Sequence, residues 1–175
     1  TTTTVTLEAG QWSLDNYGQV LVATIGDGKT YTWDAGASNP RTNRASQTTS
    51  GFLTTSNPTA SVMTIVSDRD RHLFHLGTET TIGDTTTQDK MFIRFSNQED
   101  LNEYTPTQIN TAGTFRLDNG NEIRAAVAGK DYTLILTDTA AYVAQYVGPP
   151  YTFSIRMVGT NCGCMGPHAA VSANG

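Results

Sequence analysis

The feature that most limits how this chain can fold is a strand, turn and strand unit that recurs along it. Val20, Val62 and Ile123 each open such a unit, at spacings of roughly 40 and 60 residues, the range of one propeller blade per repeat with an insertion in one of them. In the first unit, Gln19 to Ile25 reads as a short strand. Gly26-Asp27-Gly28-Lys29 reads as a glycine turn, and Thr30 to Asp34 as the return strand with Tyr31 and Trp33 on one face. In the second, Ser61 to Ser67 and Arg71 to Gly77 flank the charged turn Asp68-Arg69-Asp70-Arg71, and Lys90 to Ser96 adds another strand. In the third, Tyr132 to Thr137 and Ala140 to Val147 are rich in β-formers and separated by a turn around Thr137–Thr139. An isolated hairpin is marginal in water, so the units must bury one another. The expectation is an all-β fold of β-propeller-like blades built from antiparallel hairpins. Residues 1–175 would form part of one such domain, with about three blades or blade pieces and unnatural boundaries at both ends. A β-sandwich of the same strands is the alternative.

The stretch from Leu136 to Ala170 carries the firmest local constraints. Pro149 and Pro150 cannot donate ladder hydrogen bonds, so the strand before them must end at Gly148, and Gly148-Pro149-Pro150 should be a rigid corner. Phe153 to Val158 then starts another strand. Gly159, Gly163 and Gly166 punctuate the connection after it, where positive φ or close backbone approach is expected. At the other end of the sequence, Ser38 to Pro58 is rich in Thr, Ser, Asn and Pro and reads as a surface connection. Asn174-Gly175 is a hairpin signal with no return strand after it, which suggests a longer polypeptide or an assembly that supplies the partner.

Charged residues are only 15% of the chain and hydrophobic ones 37%, so Thr, Asn, Ser and Gln supply the polarity, as in antiparallel β-proteins with wet faces. The formal charge of −5 and the lack of any Lys/Arg cluster argue against a surface that grips phosphates. An acidic surface is compatible with DNA passing by without adhering, since like charges repel at short range. No run of 18 apolar residues is present, and the Thr1–Thr4 start lacks the order of a secretory signal. Cys162 and Cys164 would point to opposite faces of an extended segment, so they are expected to be reduced, in a cytoplasmic context.

Candidate chemistry is thin. His72 and His75 are three apart on a strand and face opposite sides, so they cannot share a metal. Cys162, Cys164 and His168 offer three soft ligands within seven residues, short of the four a structural zinc takes. Asp68, Asp70, Glu99, Asp100 and Glu103 could be cast as the paired carboxylates of a glycoside hydrolase, but they sit in turns, where carboxylates usually cap or solvate. Asp68-Arg69-Asp70-Arg71 lacks the glycine and closing Glu of a calcium loop. Trp12, Tyr17, Trp33, Tyr142, Tyr146, Tyr151 and Phe153 lie among apolar neighbours and are expected in the core. No enzyme, no cofactor and no metal is expected.

Three blocks together resemble the tail-hub or nozzle proteins of short-tailed bacteriophages, also known as packaged-DNA stabilisation proteins. The first is Trp12, Tyr17 and Gly18 followed by a strand, a glycine turn and a strand ending in Trp33-Asp34, a pair that WD-repeat blades also show. The second is the polar turn from Ser96 to Thr107, and the third is Leu136 to Ala170. The resemblance implies a structural signature at Trp12, Trp33, Asp34, Gly148, Pro149, Pro150, Gly159, Asn161 and Gly163. It implies a virion protein, assembled in the host cytoplasm, that extends the portal channel, helps retain packaged DNA and conducts it during ejection. Expected partners are other tail subunits in a homo-oligomeric ring, usually hexameric, the portal and adaptor proteins, and DNA passing without sequence recognition. A receptor- or carbohydrate-binding propeller of a tail adhesin, and a propeller hydrolase, are the other readings.

Overall fold

The computed structural model describes residues 10–34, 46–47, 57–67 and 69–172. Most of the Ser38–Pro58 connection, Asp68, the Thr1–Thr4 start and the Asn174-Gly175 turn lie outside the described residues.

The chain is all-β. The first sheet contains β1 (Trp12–Tyr17), β2 (Val20–Ile25), β3 (Thr30–Asp34) and β4 (Ser46–Gln47). The second contains β5 (Met63–Ser67), β6 (His72–Leu76), β7 (Phe92–Phe95) and β8 (Gly113–Arg116). The third contains β9 (Ile123–Ala128), β10 (Thr133–Thr137), β11 (Ala140–Gly148) and β12 (Thr152–Thr160). Each sheet is an antiparallel meander whose spatial order follows the sequence, and none closes on itself. The described residues thus make three sheets. A single 3₁₀ turn, Thr85–Thr87, is the only helical element among the described residues, and no helix is long and apolar enough to cross a membrane.

The sheets stack face to face. Because side chains alternate along a strand, β5 and β6 send Met63, Ile65, Phe74 and Leu76 to one side and Val66 and Leu73 to the other. The first set joins Ile93 and Phe95 of β7 against Ile123, Ile135, Tyr142 and Phe153 of the third sheet. The second set packs with Tyr17 and Val22 of the first sheet and with Leu101 and Tyr104 of the β7–β8 connection. The middle sheet is therefore buried on both faces, which is why MTIV and HLFHL read as continuous runs rather than alternating ones. Its face toward the first sheet is partly polar, and there Thr24 Oγ1 lies 2.7 Å from Thr30 Oγ1 and 2.8 Å from Thr64 Oγ1. Mutual hydrogen bonding lets these hydroxyls be buried at little cost.

The first strands of successive sheets lie against one another, β1 beside β5 and β5 beside β9. They do not pair as a ladder. The edge amides of β5 are taken up by side chains of β1: Thr64 N–H donates to Ser13 Oγ at 3.1 Å and Val66 N–H to Asp15 Oδ2 at 2.7 Å. A buried sheet edge is thereby satisfied without merging the two sheets. At the far end of β1, Tyr17 Oη donates to the Arg71 carbonyl at 2.9 Å while the Arg71 guanidinium sits 5.0 Å from the Tyr17 ring centroid.

The hairpins at Gln19–Asp34, Ser61–Gly77 and Tyr132–Val147 form where the sequence placed them, and β11 ends at Gly148, which has φ +82° and precedes a cis Pro149–Pro150 bond. β1, β8 and the two-residue β4, which pairs with β3 inside the Ser38–Pro58 connection, are not marked in the sequence. In β1 the apolar residues Trp12 and Leu14 face away from β5 while polar Ser13 and Asp15 face it, inverting the pattern that marks a half-buried strand. Gly159 lies inside β12 and not in the connection after it. Gly163 does need its missing side chain: the segment after β12 crosses the β10–β11 turn, with Cys162 N–H donating to the Thr139 carbonyl and Cys164 N–H to the Thr137 carbonyl, and a Cβ at Gly163 would overlap the Asp138 carbonyl.

Candidate functional site

All three first strands begin at the same end of the stack, and there they leave a cleft of about 490 Å³. Its walls come from the start of β1 (Gln11, Trp12, Ser13), the β2–β3 turn (Gly26, Asp27), the starts of β5 and β9, Lys90 before β7, and Pro167 and His168 from the segment after β12. Backbone hydrogen bonds hold these pieces: Gly26 N–H to the Gln11 carbonyl at 2.8 Å, Ser61 N–H to the Gly28 carbonyl at 3.1 Å and Ile123 N–H to the Lys90 carbonyl at 3.0 Å. The charges are arranged in pairs. Lys90 Nζ meets Asp27 Oδ1, and Arg124 Nη2 meets Glu122 Oε1. Gln88 Nε2 also donates to Asp27 Oδ1, at 3.1 Å. The four formal charges cancel, so the cleft offers donors and acceptors without a net field.

The signature residues do not converge on one site. Trp12 reaches the cleft, 44% exposed, with its ring tilted against Tyr31 at 5.9 Å. Trp33 and Asp34 end β3 and are half-buried. Gly148, Pro149 and Pro150 form the β11–β12 corner, whose next residue, Tyr151, is 80% exposed. Asn161 takes a positive φ of 56° just before Gly163, and a Cβ at Gly159 would press on Cys162 Sγ. The expectation that the aromatics pack in the core holds for Tyr17, Tyr142 and Phe153, with Tyr146 packed at the edge of that core. It fails for Trp12 and Tyr151: the first opens a strand on its outward face, and the second sits at a hairpin tip beyond the reach of any facing sheet.

His72 and His75 do point to opposite faces of β6. His75 is fully enclosed: Ser61 Oγ lies 2.8 Å from Nδ1 and Tyr104 Oη 3.3 Å from Nε2, with the Tyr104 ring edge-on. Burial, with the charge of Arg94 adding to it, lowers its pKa to about 3. His72 Nε2 lies 3.0 Å from Thr111 Oγ1, its ring is edge-on to Phe153 at 5.0 Å, and burial lowers its pKa to about 4. Both rings are thus neutral in the fold, whereas the unfolded chain binds protons near pH 6.5. Their contribution to stability is complete above that pH and is lost as pH falls toward 4 and 3, by up to about 1.4 kcal/mol per pH unit for each ring. Urea denaturation at pH 7 and at pH 5 is expected to give stabilities differing by roughly 2–4 kcal/mol. Equal midpoints would mean that the native imidazoles accept protons.

The remaining candidates are accounted for by local structure. Asp100 Oδ1 accepts from Asn102 N–H at 2.8 Å and Glu103 Oε1 from Thr105 N–H at 2.7 Å, so both cap turns, and Glu99 holds a positive φ of 55° in the same loop. Asp70 is buried, which raises its carboxyl pKa. Cys162 and Cys164 are free thiols, and Cys164 Sγ donates to the Gly166 carbonyl at 3.2 Å. No group of three or more His, Cys, Asp or Glu side chains comes together among the described residues. Sequence reasoning missed Glu79, which is fully buried in the β6–β7 connection and accepts hydrogen bonds from Thr59 and Gly83. No protein-family profile and no curated protein matches the chain.

Proposed function

We propose that the chain is a structural piece of a bacteriophage tail hub or nozzle: a run of propeller-like blades in a ring that extends the portal channel, retains packaged DNA and conducts it during ejection. One observation carries the reading. Three consecutive four-stranded meanders stack face to face with β1, β5 and β9 side by side, the arrangement in which radial repetition of sheets builds a wall around an axis. The three blocks of sequence that resemble tail-hub proteins fall on the first sheet, on the β7–β8 connection and on the third sheet with the segment after it, so the resemblance samples the whole stack. The acidic balance of the chain, −5, suits a wall past which DNA moves without adhering. Asp100 and Glu103 are occupied as turn caps, and the reading gives the wall no chemistry of its own. Its partners would be further tail subunits in a ring, the portal and adaptor proteins, and the virion would be its location.

Electron microscopy of the parent particle tests this. The three-sheet stack is expected in the tail ring below the portal, repeated around the tail axis. Density for it in a peripheral fibre, or its absence from purified virions, would overturn the reading. A channel found lined by Lys and Arg would overturn the low-adhesion account of DNA passage while leaving the location intact.

A further inference from the structure

We propose that the cleft at the starts of β1, β5 and β9 binds a neutral saccharide. At about 490 Å³ it falls within the usual 300–1,000 Å³ of small-ligand sites, and its walls are tied by backbone hydrogen bonds from several segments, so little order has to be created on binding. The ligand class follows from the charges. Lys90 and Arg124 are each neutralised by an adjacent carboxylate, Asp27 and Glu122. A phosphate or a sulfated chain would meet two acidic groups and no uncompensated cation. A zwitterion would have to break both ion pairs to gain from either.

A sugar hydroxyl needs neither change. It donates to a carboxylate and accepts from the neighbouring ammonium or guanidinium, so each intact pair serves a vicinal diol with both kinds of partner. These ion pairs are partly exposed, with side-chain exposures from 29% to 56%, which leaves their remaining lone pairs and protons open to a ligand. Ile25, Val62 and Met63, which line the same cleft, supply what a pyranose also requires, apolar surface for the C–H groups of the ring. The inference concerns this cleft alone and does not rest on the tail-hub reading.

The test is an array of immobilised oligosaccharides ending in neutral hexoses and N-acetylhexosamines, with sialylated and sulfated chains as comparators. The intact protein is expected to give reproducible signal on neutral glycans. Glu122→Gln, which keeps size but removes the charged acceptor, is expected to weaken that signal about five- to tenfold, and Asp27→Asn by a similar factor. Asp27 lies in the β2–β3 turn and Glu122 just before β9, so the two variants give independent readings of the same cleft. No signal on any neutral glycan from protein with a native melting transition would overturn the proposal. So would signal confined to anionic glycans, or equal binding by the wild type and Glu122→Gln.

Discussion

Glu79→Ala is expected to cost about 3–5 kcal/mol of unfolding free energy, the range for removing one partner from a buried charged network. For a chain of this size that corresponds to a fall in Tm of roughly 10 °C. The carboxylate is fully buried. Its Oε1 accepts from Thr59 N–H at 2.9 Å and from Gly83 N–H at 2.5 Å, and its Oε2 from Thr59 Oγ1 at 2.9 Å. These bonds tie the segment before β5 to the β6–β7 connection. Arg94, also buried, donates to the Thr80 carbonyl at 2.8 Å and to the Glu79 carbonyl at 3.4 Å; burial lowers its pKa, and the Glu79 charge works against that shift. Alanine would orphan three donors and leave the guanidinium without its nearby counter-charge. Glu79→Gln keeps the shape and one acceptor oxygen, and should cost about 1–3 kcal/mol. Urea denaturation of the three proteins separates the cases; a loss below about 1 kcal/mol for the alanine variant would mean that water replaces the carboxylate and the site is open.

That network also marks where sequence reasoning stops. Gly77-Thr78-Glu79-Thr80-Thr81 has the composition of a surface turn, and nothing local distinguishes a carboxylate that two donors of Thr59, 20 residues away, and the Gly83 amide will enclose. The hairpins were legible because their signals are local: β-branched and aromatic runs bounded by glycine or proline, with register fixed by the turn. β1 was not, because its inward side chains, Ser13 and Asp15, are polar for the purpose of satisfying the β5 amides, a demand set by a strand some 50 residues away. β8 is four residues long with mostly exposed side chains and leaves no periodic trace. The cleft is assembled from several chain segments, each unremarkable by itself, and becomes visible only when the first strands share one end. The signature residues illustrate a different limit. What they share is their order in the sequence, and the fold spends them on separate tasks: a cleft wall at Trp12, a corner at Pro149 and Pro150, and a close crossing at Gly163.

Stacking of the second and third sheets should behave as one cooperative contact, and Phe74 with Phe153 provides the means to measure it. Phe74 in β6 is fully buried, Phe153 in β12 nearly so, and their rings meet edge to face at a centroid distance of 4.7 Å. Phe95 lies 5.5 Å from the first and 5.0 Å from the second, so the cluster joins β6 and β7 to the outermost strand of the next sheet. Phe74→Ala is expected to cost about 3–5 kcal/mol, the sum of lost transfer energy and a cavity that close-packed neighbours on both sides cannot fill. Phe153→Ala should cost somewhat less, because that ring keeps a small exposed edge. The double variant should be less destabilised than the sum by about 0.5–1.5 kcal/mol, the coupling of a direct aromatic pair. Leu14→Ala, at a position 64% exposed on the outer face of β1, should change stability by less than about 0.5 kcal/mol. If the two phenylalanine effects add within about 0.3 kcal/mol, the sheets are held by something other than this contact. A coupled result would instead locate the stiffness of the stack in the interface between sheets, since each four-stranded meander buries its large side chains only against its neighbour.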